Sequence, residues 1–118
     1  MKIEIIQIND NSIADVISEK ILIRETQDAL DIMANCNYQG AYKIVIKEQN
    51  ITPEFFDLKT GLAGDILQKF STYRVQLAII GDFSKYTSKS FKDFISESNR
   101  YRRINFVSSK EEAIKSLT

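Results

Sequence analysis

Two short apolar runs constrain this chain more than any other feature: Ile44-Val45-Ile46, and the stretch VQLAIIG from Val75 to Gly81. A strand covered on both faces requires a run of this kind, because neither side alternates with solvent. Between the two lies a segment whose apolar residues, Leu62, Ile66, Leu67, Phe70 and Tyr73, recur at helical spacing. Strand, helix, strand with both strands buried is the signature of a parallel pair joined by a crossover.

The remaining elements extend that unit in both directions. Residues 2 to 8 alternate Ile3, Ile5 and, at the end of the run, Ile8 with Lys2, Glu4 and Gln7, which predicts a strand with one buried face. Asn9-Asp10-Asn11 is a turn cluster. Residues 12 to 17 then read as a second strand completing a hairpin, with a short helix capped by Ser12 as the rival reading. Residues 18 to 24 are ambiguous, although Ile21 and Ile23 alternate like a short extended piece.

Thr26 is the expected cap of a helix running to Asn37, with Ala29, Met33 and Cys36 on one stripe, Leu30 beside it and Gly40 closing the connection. Thr52-Pro53-Glu54 reads as a helix start, with Pro at its first position, and the longer helix follows. Thr87 or Ser88 is expected to cap a further helix bearing Phe91, Phe94, Ile95 and Ser98. Ile104 to Val107 is a short strand, and Ser109-Lys110-Glu111-Glu112 is a capping box before a last helix with Ala113, Ile114 and Leu117. The expectation is a single α/β domain over residues 1–118. It has a mixed, mostly parallel sheet, an N-terminal β-hairpin with its first strand at the edge, and helices covering the sheet.

Composition narrows the chemistry. The chain has no His, which removes Ser-His-Asp and Cys-His triads and most zinc sites. Cys36 is alone, so no disulfide framework or thiolate cluster forms, and its helical stripe reads as inert packing in a reducing compartment. Lys and Arg number 16 and Asp and Glu 16, a balance that argues against nucleic acid as the main partner. The cluster Arg100-Tyr101-Arg102-Arg103 reads instead as a solvated helix end. The first residues hold no apolar stretch long enough for a signal peptide or membrane span, so a cytoplasmic protein is expected. Asp28, Asp31, Asp57, Asp65 and Asp82 match no metal or acid/base spacing, and no metal or cofactor is expected.

Ligands of open parallel sheets bind beyond the carboxyl ends of the strands. Two polar loops fall there: Phe56 to Gly61, with Asp57, Lys59, Thr60 and Gly61, ahead of the long helix, and Gly81 to Ser88, with Asp82, Ser84 and Lys85, after the second buried strand. Each combines a hydroxyl, a lysine, an aspartate and a glycine, which suits an anion held at helix N-termini near Thr60 and Ser84. The competing reading is capping by Asp57 and Thr60, with Gly61 and Gly64 allowing close packing. Lys59-Thr60 lacks the upstream glycines of a phosphate-binding P-loop.

The stretch Phe55-Phe56-Asp57-Leu58-Lys59-Thr60-Gly61-Leu62-Ala63-Gly64 resembles the Asp-Ser-Ser-Gly-Leu-Gly helix start of STAS domains, the anti-sigma-factor-antagonist fold. Val75 to Gly81 and the closing Glu111-Glu112-Ala113-Ile114 helix are similar to that fold's later elements. Asp57 to Phe70 and Ala78 to Ser90 also resemble an uncharacterised bacterial family, domain of unknown function four-one-eight-zero, which implies no activity. In the antagonists the serine after the aspartate is phosphorylated. The corresponding position here is Leu58 or Lys59, and Thr60 matches only the second serine. The resemblance implies a STAS-like fold and a non-enzymatic regulatory module with a protein partner, or a homo-oligomer. An anionic-ligand binder or enzyme is the alternative, and phosphorylation at Thr60, Ser84 or Thr87 is a third possibility.

Overall fold

The computed structural model describes residues 1–118. Its strands are β1 (Lys2–Ile8), β2 (Asn11–Ile17), β3 (Lys43–Lys47), β4 (Gln76–Ile80) and β5 (Ile104–Val107). Its helices are α1 (Thr26–Tyr38), α2 (Leu62–Thr72), α3 (Lys89–Tyr101) and α4 (Lys110–Leu117). One sheet runs in the order β1-β2-β3-β4-β5, with β1 antiparallel to β2 and the other neighbours parallel. The expected α/β class, N-terminal hairpin and mostly parallel sheet are therefore present, and residues 12 to 17 are strand. The hairpin turns on Asn9 and Asp10, both with positive φ (49° and 66°), the geometry a two-residue turn between twisted strands demands.

Each of the three parallel connections joins neighbouring strands, so right-handed crossovers bring α1, α2 and α3 onto the same face. The period of two along each strand then divides the core. Ala14, Val16, Ile44, Ile46, Leu77, Ile79, Ile104 and Phe106 meet the three helices through Met33, Cys36, Ile66, Phe70 and Phe91. Ile13, Val45 and Ala78 face the other way, against Ala113 and Leu117 of α4. Full burial of one such aliphatic side chain stabilises by about 1.5–3 kcal/mol, so both faces contribute to folding. On the α4 face, buried Asp15 pairs with Lys110 at 2.9 Å.

Several local expectations are corrected. Pro53 opens only a four-residue 3₁₀ turn, Pro53–Phe56, followed by a second, Leu58–Thr60, and α2 begins at Leu62. Asp57 accepts the Lys59 N–H at 3.1 Å, and Gly61 enters the left-handed region at φ 77°, so side-chain bonds and a turn separate the Pro53 start from the long helix. Thr26 is the first residue of α1 rather than its cap; Glu25 holds that place without a side-chain bond. In β1, Ile5 is 37% exposed while Ile3 packs on the main core and Ile6, on the opposite face, against the α4 cluster, because β1 is an edge at the margin of both helical layers. Tyr73 lies outside the core, 56% exposed. No helix is long and apolar enough to cross a membrane.

Candidate functional site

The carboxyl ends of β3 and β4 open onto a shared hollow. From β3 the chain passes into the turn Glu48–Asn50, and from β4 into the loop from Gly81 to Ser88 that leads to α3. Asn50 fixes the outer wall: its Nδ2 donates to the Ser18 and Lys20 carbonyls, both at 2.8 Å, and its own carbonyl accepts from Leu22 and Ile23. This stitching holds the extended piece at Ile21 and Ile23 against Ile51.

Glu48 organises the interior. Its side chain is only 14% exposed, and its Oε2 lies 2.8 Å from the Lys85 ammonium and accepts the Tyr86 hydroxyl at 2.6 Å. Its Oε1 accepts the Asp82 N–H at 3.3 Å. A Cβ on residue 81 would sit 2.6 Å from that oxygen, so the strand must end in glycine for the carboxylate to fit. Tyr86 stacks on Phe56 with centroids 5.2 Å apart and meets Phe91 edge-on. Burial, and next the hydrogen bond to Glu48, push its hydroxyl well above the ordinary phenol range.

Phe56, Lys85 and Tyr86 form a common wall between two grooves. The first, about 570 Å³, has an apolar floor of Ile21, Ile51, Pro53, Phe56 and Ile80, with Lys47 and Glu48 on its rim. The second, about 680 Å³, brings together Asp57, Lys59, Lys85, Thr87 and Ser88. Among the residues singled out in the sequence, Asp57, Lys59, Lys85, Thr87 and Ser88 thus converge from two separate loops.

The others do not join them. Thr60 is a turn residue, its hydroxyl 2.8 and 2.9 Å from the Glu54 and Asp57 carbonyls and accepting from the Leu62 N–H. Gly61 supplies the left-handed entry to α2, and Gly64 has open space around it rather than a close neighbour. Asp82 and Ser84 line a separate hollow with Ser108 and Glu112. There the Ser84 hydroxyl and N–H donate to the Asp82 carboxylate and hold it below its usual range. Ser84 does not open a helix: the start of α3 is capped by Ser88, which accepts the Phe91 N–H at 3.2 Å.

Glu48 and Lys47 lie outside both loops read from the sequence, and Phe56 and Tyr86, although within them, were not apparent as site residues. The available signal was a glycine closing an apolar strand, which marks a close approach at the carboxyl end of a sheet. At the opposite end of the sheet, Arg100 and Tyr101 end α3 and Arg102 closes it in the left-handed region, while Arg103 donates to the Val75 carbonyl. That cluster is a helix end, as its spacing predicts.

No curated protein matches the chain. A family model described as Domain of unknown function (DUF4180) matches residues 8–117, from the last residue of β1 to the last of α4. The match spans both grooves and nearly the whole sheet, and the chain belongs to that family.

Proposed function

We propose that this protein is a cytoplasmic, non-enzymatic regulatory module of STAS-like fold that binds a protein partner in the groove at the carboxyl ends of β3 and β4. The observation that carries the reading is the first groove, with its apolar floor, lysine rim and a carboxylate already paired with Lys85 and hydrogen-bonded by Tyr86. Such a surface offers area to an apolar side chain and rim contacts to an acidic flank. The STAS-like assignment is supported by the element order, a hairpin and then alternating helices and strands, and by the turn at Asp57–Gly61. The equivalent of the regulatory serine is Leu58 or Lys59, so recognition rests on the groove rather than on a phosphate there.

Capture from the native cells with wild type, Ile21→Glu and Lys115→Glu tests this. Ile21 is 40% exposed on the groove floor, whereas Lys115 lies on the outer side of α4. A partner retained by Lys115→Glu and lost with Ile21→Glu is expected; equal recovery by all three removes the groove from the account.

The second groove favours one other reading, a small anionic ligand held by Lys59, Lys85 and the hydroxyls of Thr87 and Ser88. Calorimetry with nucleotides and phosphosugars, repeated on Lys59→Ala with Thr87→Ala, distinguishes it. Heat that vanishes in the double variant supports the ligand, and a flat wild-type response excludes it.

A further inference from the structure

The two edges of the sheet are treated differently. At β5, the strand outside Phe106 is replaced by a side chain: the Asn99 amide of α3 accepts the Phe106 N–H at 2.7 Å and donates to its carbonyl at 3.2 Å. One amide therefore does what a neighbouring strand would do, and that edge is closed. At β1 there is no such device. Seven residues pair with β2 in unbroken register, without proline or bulge, and carry four isoleucines that are at most half-buried. An open, unbulged, isoleucine-rich edge is a template for another strand.

The hydrogen-bond pattern defines what that edge offers. A two-residue turn makes Ile8 and Asn11 a hydrogen-bonded pair, and the alternation commits Lys2, Glu4, Ile6 and Ile8 to β2. The N–H and C=O groups of Ile3, Ile5 and Gln7 consequently point away from the sheet. We propose that a second copy of this chain occupies them, β1 lying antiparallel to the partner's β1 about a twofold axis at Ile5. A twofold perpendicular to the sheet pairs residues of the same face. Only the register centred on Ile5 uses all three outward residues: Ile5 faces the partner's Ile5, and Ile3 faces the partner's Gln7. Shifting by one pair in either direction loses two backbone bonds.

The charges agree with this register. Glu4 is already paired with Lys2 at 3.0 Å, so no bare carboxylate enters the seam. Lys2 itself comes to lie opposite the partner's Ile8, next to the hairpin tip that carries the partner's exposed Asp10. With β5 closed, head-to-tail addition of β1 to a neighbouring β5 is blocked, and the pairing stops at two copies instead of growing into a filament. Two seven-residue strands bury less than the roughly 1,600 Å² of a standard interface, so the expected dimer is weak and concentration-dependent.

Sedimentation equilibrium from micromolar to millimolar protein, combined with disulfide trapping, tests the proposal. Across a hydrogen-bonded antiparallel pair the Cα atoms are about 5.5 Å apart, within disulfide reach. Ile5→Cys should therefore give a covalent dimer on mild oxidation of the folded protein. Gln7→Cys alone should not, while a mixture of Ile3→Cys and Gln7→Cys should. Buried Cys36 leaves the wild type as a silent control. Ile5→Lys, at an exposed position, should keep the thermal midpoint and weaken dimerisation by about tenfold or more. A monomer at every concentration with no Ile5→Cys product overturns the proposal. So does a dimer indifferent to Ile5→Lys, or a different polypeptide protecting the β1 amides from hydrogen exchange.

Discussion

Gly81 and Gly64 show how the same residue type can answer opposite demands within one chain. Alanine at 81 would place its Cβ 2.6 Å from the Glu48 carboxylate and 2.7 Å from that residue's Cβ, so Glu48 must move. The expected cost of Gly81→Ala is about 1–3 kcal/mol, the range for overpacking, with loosening of Lys85 and Tyr86. Gly64 lies in α2 with nothing near its missing Cβ, and Gly64→Ala should stabilise by about 0.5–1 kcal/mol through helix propensity. Chemical denaturation of the two variants measures both. Cys36 gives a third outcome at this scale. Burial pushes its thiol from 9.0 up to about 11, so the folded state holds a proton that the unfolded chain releases earlier. Its contribution is intact below pH 9 and is lost as pH rises from 9 towards 11. Tyr86, raised by burial, adds to the same alkaline loss. Cys36→Ala should cost about 1 kcal/mol at neutral pH through a small cavity and show a shallower alkaline decline, read from denaturation midpoints across the pH series.

At the scale of elements, α4 is the least secured layer, a helix of eight residues alone on its face of the sheet. Three devices hold it: Ser109 accepts the Glu112 N–H, the Lys43 ammonium reaches the Leu117 carbonyl at 2.6 Å, and Lys110 pairs with buried Asp15. Lys110→Met removes the cation and leaves a carboxylate 5% exposed without its partner. The expected loss is about 1–2 kcal/mol, below that of a fully buried pair because Lys110 is half in solvent, and Asp15→Asn on the same background should restore part of it. The elements most legible in the sequence were those whose environment is uniform. Ile44–Ile46 and Leu77–Ile80 are covered on both faces, so burial writes a continuous apolar run. The loop from Asp57 to Gly61 ahead of α2 was legible, but the 3₁₀ turns before α2 were not, because Thr60 and Asp57 bond to nearby backbone groups and divert the chain there. The capping box at Ser109 was readable, but Glu112 turns to the Ser108 N–H and hydroxyl, both at 2.9 Å, instead of to Ser109 itself.

For the molecule as a whole, topology accounts for the site. Consecutive parallel strands with three helices on one face leave the β3 and β4 carboxyl ends side by side, and the two loops there wrap the Phe56–Tyr86 stack. The half of the site formed by Asp57, Lys59 and Lys85 could be found from loop composition alone. The other half, Glu48 with Tyr86, depends on residues 38 positions apart meeting behind a glycine, which no local pattern records. The groove so formed is the surface on which the proposed regulatory role rests. A photoreactive benzophenone side chain placed at Lys47 on its rim, with Lys115 on α4 as the control position, reads its occupancy directly in native cells. One discrete adduct is expected from position 47, abolished by Ile21→Glu, and none from position 115. The same adducts from both positions, or none at 47, would contradict it.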